Sequence, residues 1–132
     1  MKTHGFLEDD IKVGTWTYYY VNGHRFKEIT YENGIENGPW TMWHENGNLY
    51  IERFQDRGRT VGIWKEYYEN GSLKEVREYR NGEYFPSDFW NESGDQLLLN
   101  GNGKKIESFG AGSLDVFEHY FIDGKLIKEL RL

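Results

Sequence analysis

Between residues 14 and 82, short runs of aromatic and β-branched residues alternate with polar, glycine-centred pairs. Trp-Thr-Tyr-Tyr-Tyr-Val, starting at Trp16, and Leu-Tyr-Ile-Glu-Arg-Phe, starting at Leu49, have the length and composition of strands. A helix needs apolar positions at i, i+3, i+4 and i+7 over about a dozen residues, and the glycines interrupt any such run. The pattern predicts strands joined by tight turns.

The turns keep a period. Gly14, Trp16, Tyr19, Asn22 and Gly23 return 24 residues later as Gly38, Trp40, Trp43, Asn46 and Gly47, and again as Gly62, Trp64, Tyr67, Asn70 and Gly71. Gly34, Gly58 and Gly82 share the spacing, so each unit holds two glycine turns. Asn-Gly favours a type I′ hairpin, which needs positive φ at both central residues. The expected fold is all-β: an antiparallel meander of successive hairpins in one elongated, twisted, open sheet. A single domain over 1–132 would hold clear repeats at 14–37, 38–61 and 62–85, with degenerate repeats and a cap at 86–132. Residues three apart on a strand face opposite sides, so Trp16 and Tyr19, and their counterparts, put one ring on each face. The glycine two before each tryptophan predicts a kink or a close backbone approach.

Past Gly82 the pattern degrades. Phe89, Trp90, Ser93 and Gly94 read as a shifted copy, with Pro86 in place of a glycine. Tyr120, Asp123, Gly124 and Leu126 restore the cadence. The 30 residues from Gly94 to Gly124 predict an insertion, placed at 104–114 around Gly110 and Gly112. Glu8, Asp9 and Asp10 read as a solvated lead-in.

The unit Gly-x-Trp-x-x-Tyr-x-x-Asn-Gly-x-Leu, best kept at Gly62, Trp64, Tyr67, Asn70, Gly71 and Leu73, resembles the MORN-repeat variant of bacterial proteins, including YwqK-type antitoxins. Trp43 departs from it in the Tyr column and Arg25 in the Leu column. The resemblance implies a β-repeat that binds a protein, and in the antitoxin case one that occludes a toxin. Eukaryotic MORN proteins add a membrane-surface or scaffold reading.

Charge changes that picture. The chain carries 16 Lys and Arg against 22 Asp and Glu, a net charge of −6. Nucleic acid and anionic membranes both call for basic clusters, and Arg53, Arg57 and Arg59, interrupted by Asp56, form the one local basic group. The balance favours a protein partner, such as a basic toxin. With no cysteine and no apolar N-terminal stretch, the expected location is the cytoplasm.

Catalytic patterns are absent from the sequence. No Gly-x-Ser-x-Gly elbow or phosphate loop occurs. His4, His24, His44 and His119 lack metal-ligand spacing, and Glu118 and His119, adjacent on a strand, face opposite ways. No catalytic residue, cofactor or metal is expected, and the protein reads as a non-enzyme. Within the repeat, columns 18/42/66 (Tyr18, Met42, Glu66) and 20/44/68 (Tyr20, His44, Tyr68) vary while their neighbours hold constant. They are the candidate partner contacts, against the alternative that they pack on the next unit. A purely structural array, or one that assembles through an unpaired edge strand, is the remaining reading.

Overall fold

The computed structural model describes residues 2–108 and 116–132. It is one open antiparallel sheet whose strands lie side by side in chain order. They are β1 (Lys2–Glu8), β2 (Ile11–Tyr19), β3 (Arg25–Glu32), β4 (Ile35–Trp43), β5 (Leu49–Asp56), β6 (Arg59–Tyr67), β7 (Leu73–Arg80), β8 (Glu83–Trp90), β9 (Gln96–Leu99), β10 (Asn102–Ser108), β11 (Val116–Ile122) and β12 (Lys125–Arg131). The hairpin meander expected from the repeat is thus the observed topology.

Two turn types alternate along the sheet. Asn33-Gly34, Arg57-Gly58, Asn81-Gly82, Asn100-Gly101 and Asp123-Gly124 have positive φ at both residues, as type I′ turns require. The Asn-Gly pairs at 22–23, 46–47 and 70–71 do not, and here the expectation is corrected. Only the glycine is left-handed, and the loop is three residues long, with Gly23 N donating to the Tyr20 carbonyl and Tyr20 N to the His24 carbonyl. The asparagine accepts instead: Asn22 Oδ1 takes His24 N at 2.9 Å, Asn46 Oδ1 takes Asn48 N at 2.9 Å and Asn70 Oδ1 takes Ser72 N at 2.8 Å.

Each turn type also binds a neighbouring unit, the three-residue loops the one that follows and the type I′ turns the one before. Asn22 Nδ2 donates to the Glu45 carbonyl at 2.9 Å and Asn46 Nδ2 to the Glu69 carbonyl at 2.8 Å. On the other edge, Gly34 N reaches the Lys12 carbonyl and Gly58 N the Glu36 carbonyl. The glycines at 14, 38 and 62 lie in irregularities where β2, β4 and β6 pair with the preceding strand, all at positive φ. That is the kink their position predicted.

Two further expectations are corrected. Glu8, Asp9 and Asp10 are exposed, as expected, but they close a hairpin and are no lead-in: Lys2–Glu8 pairs with β2 through a turn in which Asp9 and Asp10 both have positive φ. The insertion arose from comparing unlike turns, because Gly94 belongs to a three-residue loop and Gly124 to a type I′ turn. Compared like with like, the type I′ glycines sit at 58, 82, 101 and 124, so the hairpin between Gly82 and Gly101 is shortened. Its second strand, β9, has 4 residues. Residues 104–108 continue β10, while Gly110, Gly112 and the rest of 109–115 lie outside the described residues. The expected cap is itself an exposed edge, since β12 is solvent-accessible along its length.

Pairing carries one row of residues across the sheet: Tyr18, Lys27, Met42, Ile51, Glu66, Glu75, Phe89, Leu98, Gly103 and Phe121. Trp16, Ile29, Trp40, Arg53, Trp64, Arg77 and Pro86 lie on the same face. This inner face holds the buried side chains Ile29, Trp40, Trp64, Phe89, Leu98 and Phe121. Phe89, Leu98 and Phe121 form one apolar cluster with Leu97 beside it, each buried ring or leucine contributing about 1.5–3 kcal/mol. Tyr19, Trp43 and Tyr67 point to the outer face, as the three-residue spacing implied. There Arg25 covers Trp43 at 4.3 Å and Tyr67 Oη donates to Glu52 at 2.7 Å.

Candidate binding face

The inner face pairs aromatic rings with cations. A strand places i and i+2 on one side; Lys27, Arg53 and Arg77 each lean over the ring directly opposite, and Lys12 reaches Trp16, four positions along its own strand, and Tyr31 on the next. Lys12 Nζ lies 4.9 Å from the Trp16 ring centre and 5.2 Å from Tyr31, and donates to Tyr18 Oη at 3.2 Å. Lys27 Nζ stands 5.0 Å from the Tyr18 ring. Arg53 and Arg77 lie over Trp40 and Trp64, each with its guanidinium carbon 3.8 Å from the ring centre. Such stacks contribute about 0.5–2 kcal/mol as water is excluded.

Toward the C-terminus the cations meet carboxylates. Glu75, 1% exposed, takes Arg77 through both oxygens, at 3.0 Å from Nε and 2.9 Å from Nη2. It also accepts Tyr84 Oη at 2.7 Å and pairs with Lys105 Nζ at 2.7 Å. Lys105 pairs with Glu107 at 2.7 Å, and beyond it His119 Nε2 meets Glu129 at 2.8 Å. Glu118, adjacent to His119, bonds Lys104 and Tyr120 on the opposite face. The short β9 makes this cluster possible: β10 pairs with it only at Asn102 and Gly103, and from Lys105 onward the side chain reaches back to β7.

Burial alone would raise the Glu75 carboxyl, but Lys105 and Arg77 outweigh it and hold the group below the usual carboxylate range. Burial and the Glu75 charge push the Tyr84 hydroxyl well up. Burial, then a hydrogen bond to Glu52, raises Tyr67 to about 12, and burial, then Tyr18, does the same for Tyr31. Burial lowers Arg53, with Glu36 opposing it.

The six contacts expected from the variable columns divide in two. Tyr18, Met42 and Glu66 share one inner-face row, half-buried, with Glu66 paired to Lys74 at 2.9 Å. Tyr20, His44 and Tyr68 stand at the turn edge and hold the next unit. Tyr20 Oη donates to the Trp43 carbonyl at 2.7 Å, His44 Nε2 to the Tyr67 carbonyl at 2.9 Å and Tyr68 Oη to the Trp90 carbonyl at 2.7 Å. A carbonyl only accepts, so His44 carries its proton on Nε2. His44 also stacks on Tyr50 at 4.2 Å. Sequence reading passed over Lys12, Lys27, Glu75, Lys105 and the placement of Arg53. The available signal was the column Lys27, Ile51, Glu75, which changes charge from one repeat to the next.

Among the described residues, no group of three or more His, Asp or Glu is arranged to hold a metal ion, and no helix is long and apolar enough to cross a membrane. The clefts are shallow. One of about 440 Å³ lies at the turn edge beside His44, Tyr50, Tyr68 and Lys74, and one of about 290 Å³ beside Glu75, Arg77, Phe89 and Lys105.

Stacked two-stranded units joined by alternating glycine turns, with one ring-lined face, define a β-hairpin repeat protein. Residues 12–33, 36–55 and 60–81 match the MORN repeat variant, so the chain carries three MORN repeats, starting 24 residues apart. No curated protein matches the chain.

Proposed function

We propose that the protein is a non-enzymatic, cytoplasmic recognition module that binds a protein partner across the inner face of its first repeats. Repeats of this class commonly serve as protein- or membrane-binding modules. One observation carries the choice: in a single-layered sheet, Tyr18, Met42 and Ile51 form a half-buried row on the face that buries Trp40 and Trp64, and no second layer covers it among the described residues. Half-exposed aromatic and Met surface is what protein interfaces enrich. A membrane surface is the weaker alternative, because a net charge of −6 repels anionic lipid.

The resemblance of the repeats takes the reading one step finer, to an antitoxin that occludes its toxin. Net acidic charge supports a basic protein at long range, whereas contacts on the inner face follow the local charges. The test is co-expression with the product of the neighbouring gene. That product is expected to be toxic alone and harmless in complex. Met42→Asp, on the inner face, is expected to weaken the complex about tenfold or more, and Ile63→Asp, on the outer face, to leave it unchanged. A neighbour harmless by itself removes the antitoxin reading. The reverse pattern of variants moves the interface to the outer face.

A further inference from the structure

Arg53 and Arg77 occupy the same place in successive repeats, and each lies on the tryptophan opposite it at the same 3.8 Å. What answers them differs. Glu75, two residues before Arg77 on the same strand and face, grips both Nε and Nη2. The residue two before Arg53 is Ile51, which offers no acceptor. Arg53 forms no ion pair or hydrogen bond among the described residues, and its Nε is buried without a partner, a costly state for an N–H. Lys12 and Lys27 stand on the same face, without an ion pair among the described residues. Glu36 faces this group from its pairing with Tyr31 and bonds none of the three. Glu66, opposite Ile51, is taken by Lys74.

We propose that the inner face of the first two repeats, centred on Arg53, receives a carboxylate from an acidic segment of the protein partner at the Arg53 guanidinium, the counterpart of the group that takes Glu75 in the next repeat. The proposal rests on the protein-binding reading above and adds the chemistry of the partner. Arg presents a flat fork that a carboxylate fills with two bonds, and the contact with Trp40, 3.8 Å from its ring centre, already positions that fork. Met42 and Ile51 border it with apolar surface suited to the stem of a glutamate. Lys12 and Lys27 supply charge for neighbouring acids.

The test is an NMR titration of the full chain with a hexaglutamate peptide, following the Arg Nε–H and Trp Nε1–H signals. Arg53 and Trp40 are expected to shift while Arg77 and Trp64 stay still. Ile51→Glu supplies the missing carboxylate from within the chain, and Arg53→Gln removes the fork. Each is expected to weaken hexaglutamate binding about tenfold or more. An unmoved Arg53 signal, or binding undiminished in Ile51→Glu, overturns the proposal. So does tighter binding of phosphatidylserine vesicles or a DNA duplex that is lost in Arg53→Gln, which would assign the fork to phosphate. A protein partner that depends on Met42 but ignores Ile51→Glu would overturn this proposal and leave the wider reading standing.

Discussion

The first two repeats and the stretch from β7 onward are built from the same turns and the same ring-on-cation stacks, yet they treat charge in opposite ways. From Glu75 on, the chain supplies its own carboxylates: Arg77 and Lys105 converge on Glu75, and Lys105 also meets Glu107. Around Trp16 and Trp40, Lys12, Lys27 and Arg53 rest on rings with no carboxylate bound among the described residues. The closed half also holds the apolar cluster of Phe89, Leu98 and Phe121, whereas the corresponding row in the open half is Tyr18, Lys27, Met42 and Ile51. A repeat can thus serve as scaffold or as surface through a change at one column, from Ile51 to Glu75.

The largest effect that could break this contrast is expected at Glu75. Glu75→Ala leaves Arg77 and Lys105 buried without their shared partner and should cost about 3–5 kcal/mol in urea unfolding. A loss below about 1 kcal/mol would mean that the cluster is not the brace of the closed half. Leu98→Ala, at a fully buried site, should cost about 2–5 kcal/mol, and Met42→Ala, half-exposed in the open half, about 1 kcal/mol. Equal losses would erase the distinction between a packed half and an open one.

Acid should separate the halves as well. The folded-state pKa of Glu75 is depressed, so between its folded and unfolded values the unfolded chain binds more protons. Its contribution is present above the unfolded value, near 4.3, and is lost as pH falls through the folded one. Glu75→Gln should flatten the acid limb of a stability profile, and an unchanged slope would contradict the sign. A smaller effect tests the unit-to-unit ladder: Tyr20→Phe removes one hydrogen bond to the Trp43 carbonyl and should cost about 1 kcal/mol by thermal unfolding.

Much of the fold was legible because glycines at fixed spacing mark turns whatever the residues between them do. Gly34, Gly58 and Gly82 located their hairpins, and the Trp-x-x-Tyr spacing separated the faces. What escaped had physical reasons. Lys2–Glu8 has no repeat signature and becomes a strand only by pairing with β2. Asn22 and Asn33 look alike in sequence, but only Asn33 adopts positive φ, since Asn22 uses its side chain to hold His24 N. Gly94 and Gly124 sit in these two different turns, so the 30 residues between them span more than one unit and mark no insertion.

The candidate face was legible only in part. Alternation placed Tyr18, Met42 and Glu66 on one row, and their column variation drew attention to it. Tyr20, His44 and Tyr68 also vary, but bond main-chain carbonyls, which any side-chain donor of suitable reach can do. Glu75 was hidden because its partner Lys105 lies three strands away across the truncated β9, a contact that no local pattern encodes.

The most direct test pairs Arg53→Gln with Arg77→Gln in the same denaturant-unfolding experiment. Both variants remove a guanidinium from the face of a tryptophan, so the stacking loss is common to the two. Arg77→Gln should destabilise the protein by about 3 kcal/mol, because Glu75 loses its two-pronged partner, and Arg53→Gln by less than about 1 kcal/mol. Equal losses would contradict the division into a self-neutralised half and a half left open for a partner.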